Sequence, residues 1–373
     1  MKRYFYFVCL LAFFTVSCSD DFTEYESHQP LNEKTVSEIA QTLEMSFAPK
    51  VTRSYVGEMN YPDYYGGVFL NEDGELVVLT KGDCELYRQE LTTRATSDNF
   101  ILKPCDYSLN ELQEVADELK LYKNNNPSVC EELQFYGFGI KTDLNRVMVF
   151  LGDCSQASIE QFKATILNDS RIIFRQDDMM IADVGPGGVL GSGTDLFSMG
   201  YRAKSGNTEV LVTSGHPISD GDDLKINGSK AGTCIMSMTS QSIDASFCQV
   251  NVPLSNVTTY SFIELMPKTM IPIVNMSARM EGSATQLKGE DGGTIFAIGM
   301  TRTIKVKKGD DEYTYTLNDL ALATYPSQSG DSGGVVFDKT SYGIYGIHVG
   351  HSSDFSIFCL ASNINRLFGL EMY

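Results

Sequence analysis

Apolar residues along this chain fall into short runs separated by turn residues, and the texture of those runs changes near residue 184. Between Val36 and Phe47 the residues Ile39, Leu43 and Phe47 recur at helical spacing, which predicts an amphipathic helix over Val36 to Met45 with its apolar side in a core. Gly66-Gly67-Val68-Phe69-Leu70, the turn Asn71-Glu72-Asp73-Gly74 and Leu76-Val77-Val78-Leu79 then read as a β-hairpin. The pattern returns in Phe138-Gly139-Ile140-Lys141, the turn Thr142-Asp143-Leu144-Asn145 and Val147 to Leu151, and Gly82-Asp83-Cys84 has a counterpart in Gly152-Asp153-Cys154. Each hairpin is followed by a helical pattern, Asn110 to Tyr122 and then Ile159 to Leu167. Residues 31–183 are therefore predicted to form one α+β domain of two related hairpin-plus-helix units.

The stretch Val184 to Gly193 holds five glycines and one proline, so 184–194 reads as a linker and the place where processing would occur. Residues 195–373 form the second domain, in which alternating strands and turns fill most of 196–305, among them Ile235 to Met238 and Ile295 to Met300, and Asn363 to Tyr373 reads as a short closing helix. At the other end, Lys2 and Arg3 precede the apolar run Tyr4 to Val16, which is too short to span a bilayer and marks residues 1–17 as a targeting segment. Residues 18–30 are a polar tether.

Composition narrows the partners. A chain of 373 residues with 42% hydrophobic and 21% charged residues can build two or three domains with cores. Its formal charge of −19 excludes nucleic acid and anionic lipid as main partners, because both would repel it. Nine cysteines occur; Cys9 leaves with the targeting segment and Cys18 is set apart below, so Cys84, Cys105, Cys130, Cys154, Cys234, Cys248 and Cys359 remain, an odd number that leaves at least one thiol unpaired. No Cys-x-x-Cys pair or histidine cluster suggests a metal, and no cofactor is expected.

Three stretches carry chemistry. Gly330-Asp331-Ser332-Gly333-Gly334 presents a serine in a loop whose glycines let backbone N–H groups turn toward a reacting carbonyl, which makes Ser332 a candidate nucleophile and the N–H groups of Gly330 and Ser332 a candidate oxyanion hole. Glu209 to Pro217 is an apolar strand ending in His216 at a Gly/Pro turn, and Ser242 to Val250 places Asp244 at the start of another strand. The order His216, Asp244, Ser332, with a short first gap and a long second one, is one of the known chain orders of a Ser-His-Asp triad.

Thr213-Ser214-Gly215-His216, Asp244-Ala245-Ser246-Phe247 and Gly330 to Gly334 together resemble the signatures of the chymotrypsin-like serine proteases, in particular the short bacterial branch of streptogrisins and α-lytic protease. The resemblance covers about residues 184–373. It implies an all-β catalytic domain of two six-stranded antiparallel barrels with a short C-terminal helix, the triad in the crevice between them, and polypeptide substrates. The disulfide that usually brackets the histidine in that branch is missing, its places being taken by Phe197 and Pro217. Ala278-Arg279-Met280-Glu281-Gly282 resembles the turn whose arginine pairs with the acid beside the nucleophile, which implies an Arg279–Asp331 ion pair. The preceding α+β domain resembles the pro-regions of the same proteases, which implies that it binds the catalytic domain as folding template and inhibitor.

Two further expectations follow from resemblance. Thr15-Val16-Ser17-Cys18 resembles a bacterial lipobox, which implies lipidation of Cys18, attachment to the membrane by acyl chains alone, and a place in the bacterial cell envelope, on the outer membrane facing the periplasm or exported to the surface. For the primary specificity pocket, Pro326 occupies the position where trypsin-like pockets carry an acid. Ser327 together with His348 in Tyr345-Gly346-Ile347-His348-Val349-Gly350 resembles the pockets of bacterial glutamyl endopeptidases, with Gly350 on the pocket wall and His351 the alternative if the alignment shifts. This implies Glu or Gln before the scissile bond. Two other readings stay open, a binding module on an idle protease fold and a lipid-anchored esterase.

Overall fold

The computed structural model describes residues 35–48, 59–183, 190–251, 263–285, 292–308 and 311–373. The targeting segment, the tether with Cys18, and residues 184–189 of the expected linker lie outside the described residues. Residues Lys34–Tyr373 form one compact unit.

The first half is built from a repeat longer than its sequence suggests. Each copy runs helix, hairpin, helix and then a third strand parallel to the second. The first copy comprises Val36–Met45, Tyr65–Leu70, Leu76–Lys81, Arg88–Ala95 and Ile101–Cys105. The second comprises Leu109–Asn125, Phe135–Lys141, Arg146–Leu151, Gln156–Thr165 and Ile172–Gln176. The helix expected over Asn110 to Tyr122 therefore opens the second unit rather than closing the first. Its counterpart is Val36–Met45, and both start with a capping box, Thr35 with Glu38 and Ser108 with Glu111. The helix that matches Gln156–Thr165 is Arg88–Ala95, which buries only Leu91 and Ala95 and so carries almost no periodic signal.

The second half is all-β. Ser277–Glu281, Val335–Phe337, Gly343–His351, Ser356–Leu360, Asp311–Ala323 and Gly293–Lys308 pair in that order, and Gly293–Lys308 pairs back onto Ser277–Glu281 through Ser277 opposite Thr294. This is a closed six-stranded antiparallel barrel. The other sheet runs Leu370–Met372, Arg202–Ser205, Thr208–Thr213, Ile243–Val250, Ser229–Ser240, Asp223–Ile226, Leu190–Ser192 and Asp195–Phe197, eight strands among the described residues rather than the expected six. At one edge Leu190–Ser192, from the expected linker, forms a hairpin around Gly193 with Asp195–Phe197, just beyond it. At the other edge lies the chain end: helix Ala361–Phe368 stops at Gly369, in a left-handed conformation, and Leu370–Met372 then pairs with Arg202–Ser205.

The two halves share a sheet. Strand Gly293–Lys308 is long enough to leave the barrel and pair with Phe135–Lys141, Thr301 opposite Phe138 and Arg302 opposite Gly137, so the three strands of the second repeat continue the barrel wall. The segment that follows, Met180–Ala182, lies parallel to Gly293–Lys308 and antiparallel to Gly343–His351. This is the route by which the first half enters the crevice of the second.

Candidate active site

Adjacent strands bring His216 and Asp244 together. Thr208–Thr213 pairs with Ile243–Val250, Thr213 opposite Ser246, so the turn that follows the first strand folds over the start of the second. Asp244 Oδ1 accepts the backbone N–H groups of Gly215 and His216 at 2.9 and 2.8 Å, and Oδ2 lies 2.5 Å from His216 Nδ1. The Tyr315 hydroxyl donates to the same Oδ2, and both the imidazole and the carboxylate are fully buried. Burial alone would raise the Asp244 pKa, but the neighbouring imidazole and these hydrogen bonds hold it below the usual carboxylate range. With Nδ1–H directed at the carboxylate, Nε2 carries the lone pair, and among the described residues it has no hydrogen-bond partner.

Ser332 lies in the loop between Asp311–Ala323 and Val335–Phe337, packed on the strand that leads to His216. Its carbonyl accepts from Ser198 N–H at 2.7 Å, and a Cβ on the next residue, Gly333, would collide with Thr213. Gly330 adopts φ +100°, a conformation open to glycine, which turns its N–H inward. The Ser332 hydroxyl donates to the Val349 carbonyl at 2.9 Å.

The ion pair expected between Arg279 and Asp331 is replaced by two other arrangements. Arg279 and Glu281 lie two apart on one strand and so on the same face, and their side chains pair at 2.8 Å. Asp331 is held instead by backbone: it accepts the N–H groups of Gln328, Ala284 and Thr285, each at 2.9 Å, together with the Thr285 hydroxyl. The turn after Gly282 thus does what the arginine was expected to do, ordering the loop that carries Ser332.

The crevice is filled by the chain itself. After Met180–Ala182 the carbonyl of Asp183 accepts the N–H groups of Gly330 at 2.7 Å and Ser332 at 3.1 Å, while the Asp183 N–H donates to Val349 O at 3.1 Å. The Asp183 carboxylate takes His348 Nε2 at 2.7 Å on one oxygen and His351 Nδ1 at 2.6 Å on the other. His348 is in turn fixed by the Tyr325 hydroxyl, 3.1 Å from Nδ1. Gly350 stands opposite Ala182, and a Cβ there would collide with the Ile181 carbonyl. Of the expected pocket residues, His348 and Gly350 meet the bound segment. The Ser327 hydroxyl is instead engaged by Ser356 Oγ at 2.9 Å, and His351 supplies the second contact to the carboxylate. Asp183, Val349 and Tyr315 were not singled out in the sequence. Three of the chain's four histidines, His216, His348 and His351, thus lie along one crevice.

Two family models match within the first half of the chain, and solved structures similar to it are proteases. Residues 21–105 match the family described as Pro-like N-terminal domain, and residues 110–177 the one described as Pro-like C-terminal domain. Among solved structures, about half of this chain is similar to nearly the whole of several proteases. Thermobifida fusca Protease A is 21% identical, with 52% of this chain and 98% of that chain covered and a TM-score of 0.41. Cellulomonas bogoriensis chymotrypsin is 22% identical, with coverage of 50% and 96% and a TM-score of 0.39. A glutamic acid specific serine protease described as using a novel histidine triad in substrate binding is 21% identical, with coverage of 52% and 100% and a TM-score of 0.40. No curated protein sequence matches the chain.

Proposed function

We propose that this chain is a serine endopeptidase that works through His216, Asp244 and Ser332. The observation that carries the reading is the Asp183 carbonyl between the N–H groups of Gly330 and Ser332, because two convergent donors on a peptide carbonyl, beside a serine, are what acyl transfer needs. In this reading the Ser332 hydroxyl turns from Val349 O toward the carbonyl carbon and His216 Nε2 takes its proton. The tetrahedral oxyanion forms where the Asp183 carbonyl oxygen lies. Collapse expels the amine, which His216 protonates, and water then hydrolyses the Ser332 ester by the same steps in reverse. Asp244 holds the Nδ1 tautomer and stabilises the imidazolium, with Tyr315 and two backbone N–H groups fixing the carboxylate. The pocket that accompanies this reading takes an acidic or amide side chain, Glu or Gln before the scissile bond. The protein is anchored by lipid on Cys18 in the bacterial cell envelope, and the Pro-like region serves the catalytic domain as a folding partner.

A fluorophosphonate probe tests the central claim. Ser332 is expected to be labelled in protein whose crevice has been opened by limited proteolysis near residue 184, and Ser332→Ala to abolish both labelling and peptide hydrolysis. Opened protein with an unlabelled Ser332 would rule the reading out.

A further inference from the structure

Two cysteines outside the crevice face each other across a strand pair. Cys234 on Ser229–Ser240 stands directly opposite Cys248 on Ile243–Val250, and among the described residues no other two cysteines share a pairing position. The backbone shows which kind of pair this is. In a strand the N–H and C=O of one residue point to the same side, and Cys234 directs both to the turn that follows His216: its N–H donates to Asp222 O and its C=O accepts from Gly221 N–H, each at 2.9 Å. Neither group reaches Cys248, so the two cysteines form a non-hydrogen-bonded pair. Opposed side chains come closest in such pairs, whose Cα atoms stand about 4.5 Å apart, within the roughly 4.4–6.8 Å that a disulfide spans. Both side chains lie on one face, buried in a single cluster with Leu190, Phe197, Leu211 and Leu224. The Cys234 thiol, as hydrogen-bond partner, and burial together hold the Cys248 thiol well above the usual cysteine range. Among the described residues no group of three or more His, Cys, Asp or Glu side chains is arranged to hold a metal, so the pair lacks the further ligands a zinc site needs.

We propose that Cys234 and Cys248 are the site of a disulfide, and that this bond staples the strand pair carrying Asp244 beside the turn that follows His216. The inference does not depend on the endopeptidase reading. In the structure both residues are thiols, and joining them removes two protons and two electrons. The oxidant is another disulfide, of a small thiol or of a thiol oxidoreductase. One cysteine thiolate attacks it to form a mixed disulfide and displaces one thiolate; the second cysteine then attacks that bond, the Sγ–Sγ bond forms, and the oxidant leaves as two thiols. Because the attacking species is a thiolate, the exchange belongs to folding, before the pair is buried against Leu190 and Phe197. The bond closes the short loop between Cys234 and Cys248, and Asp244 lies inside that loop. Ile243–Val250 also pairs with Thr208–Thr213, the strand that leads to His216. The staple therefore joins the strands on both sides of the His216–Asp244 contact and restricts the unfolded chain more than the folded one.

The full chain carrying Ser332→Ala is the protein to test. It is refolded in a mixture of reduced and oxidised glutathione, unfolded in denaturant with an alkylating reagent, and cleaved on the N-terminal side of aspartate. Cleavage before Asp244 separates Cys234 from Cys248. The peptides holding the two cysteines are expected to stay joined to each other, unalkylated, until a reductant is added. Alkyl groups on both cysteines, or either one joined to a different cysteine, would overturn the inference. Thermal melting tests the staple itself. Reduction of the refolded protein should lower Tm, and the drop should be larger by about 5 °C or more in the parent than in the Cys234→Ala/Cys248→Ala variant, since only the parent loses this bond. Equal drops in the two proteins would overturn the stapling role. The peptide map needs no cysteine variant, so the pairing is decided even where that variant fails to fold. Neither failure touches the endopeptidase reading, which stands or falls on Ser332 labelling.

Discussion

Arg302 and Asp177 form an ion pair in which both side chains are fully buried, one on the long barrel strand Gly293–Lys308 and the other at the end of the Pro-like region. The guanidinium also lies 4.4 Å from the ring centre of Phe150. Burial lowers the Arg302 pKa and the Asp177 carboxylate opposes that shift, so the charge persists because its partner is there. A pair of this kind contributes little compared with an apolar replacement, but losing one member strands a charge in the interior. The pair stands just before the docked segment: five residues beyond Gln176, Ile181 lies opposite His351, and Asp183 reaches the serine loop.

In a Ser332→Ala background, which keeps the chain whole, Asp177→Asn or Arg302→Met should each lower unfolding stability by about 3–5 kcal/mol. The double change Arg302→Met/Asp177→Leu should recover most of that loss. Denaturant unfolding of the three variants measures it, and single variants within about 0.5 kcal/mol of the parent would show that the pair does not hold the two halves in register.

The second half of the fold is readable because its candidate site sits in local signatures. His216 ends an apolar strand, Asp244 starts one, and Ser332 lies in a glycine loop, so residue types and chain order alone point to the site. The hairpins of the first half were equally plain from turn residues and period-two runs. What escaped depends on pairing between distant segments. Arg88–Ala95 buries two side chains only, so no periodicity marks it. Leu190–Ser192 is glycine-containing and short, and becomes a strand because Asp223–Ile226 offers it an edge. Asp183 looked like the last residue of a domain, since its role appears only when Met180–Ala182 lies between two strands more than a hundred residues downstream. Arg279 illustrates the converse. A local motif was present, but the register of its strand gave it to Glu281, and backbone N–H groups took its expected partner.

Gly350 provides a test of substrate path that spares the chemistry. A Cβ there would collide with the Ile181 carbonyl and crowd the backbone of Ala182, while the groups on Ser332 and His216 are untouched. Gly350→Ala should cut kcat/KM for extended peptides by roughly 10- to 100-fold, as expected for overpacking of about 1–3 kcal/mol. Labelling of Ser332 by a small fluorophosphonate should change much less. Equal losses in both assays would mean that the substitution damages the site itself rather than the strand-binding groove.

The hold on Asp183 should depend on pH in a way set by its two partners. Burial would raise the Asp183 pKa, but hydrogen bonds from His348 and His351 outweigh it and leave the carboxylate below its usual range. A group depressed in the folded state contributes stability above its unfolded pKa, and that contribution is lost as the pH falls through the folded value. His351 is shifted the other way, raised chiefly by its hydrogen bond to Asp183, against burial and with help from the charges of Asp183 and Asp331. A raised imidazole contributes stability below its unfolded pKa, and the charge-assisted part fades as the pH rises through the folded value. The docked segment should therefore be held most firmly between about pH 4 and about pH 6.5, the ordinary values of the two groups. Comparing melting temperatures of Ser332→Ala with Ser332→Ala/Asp183→Asn across pH 2 to 9 isolates this term, because His216, Tyr325 and Asp331 are common to both. The difference should be widest in that window, disappear at the acid end, and shrink on the alkaline side to what a neutral His351 donor still supplies. A difference that stays constant from pH 3 to 9 would show that the Asp183 contacts are not ionic.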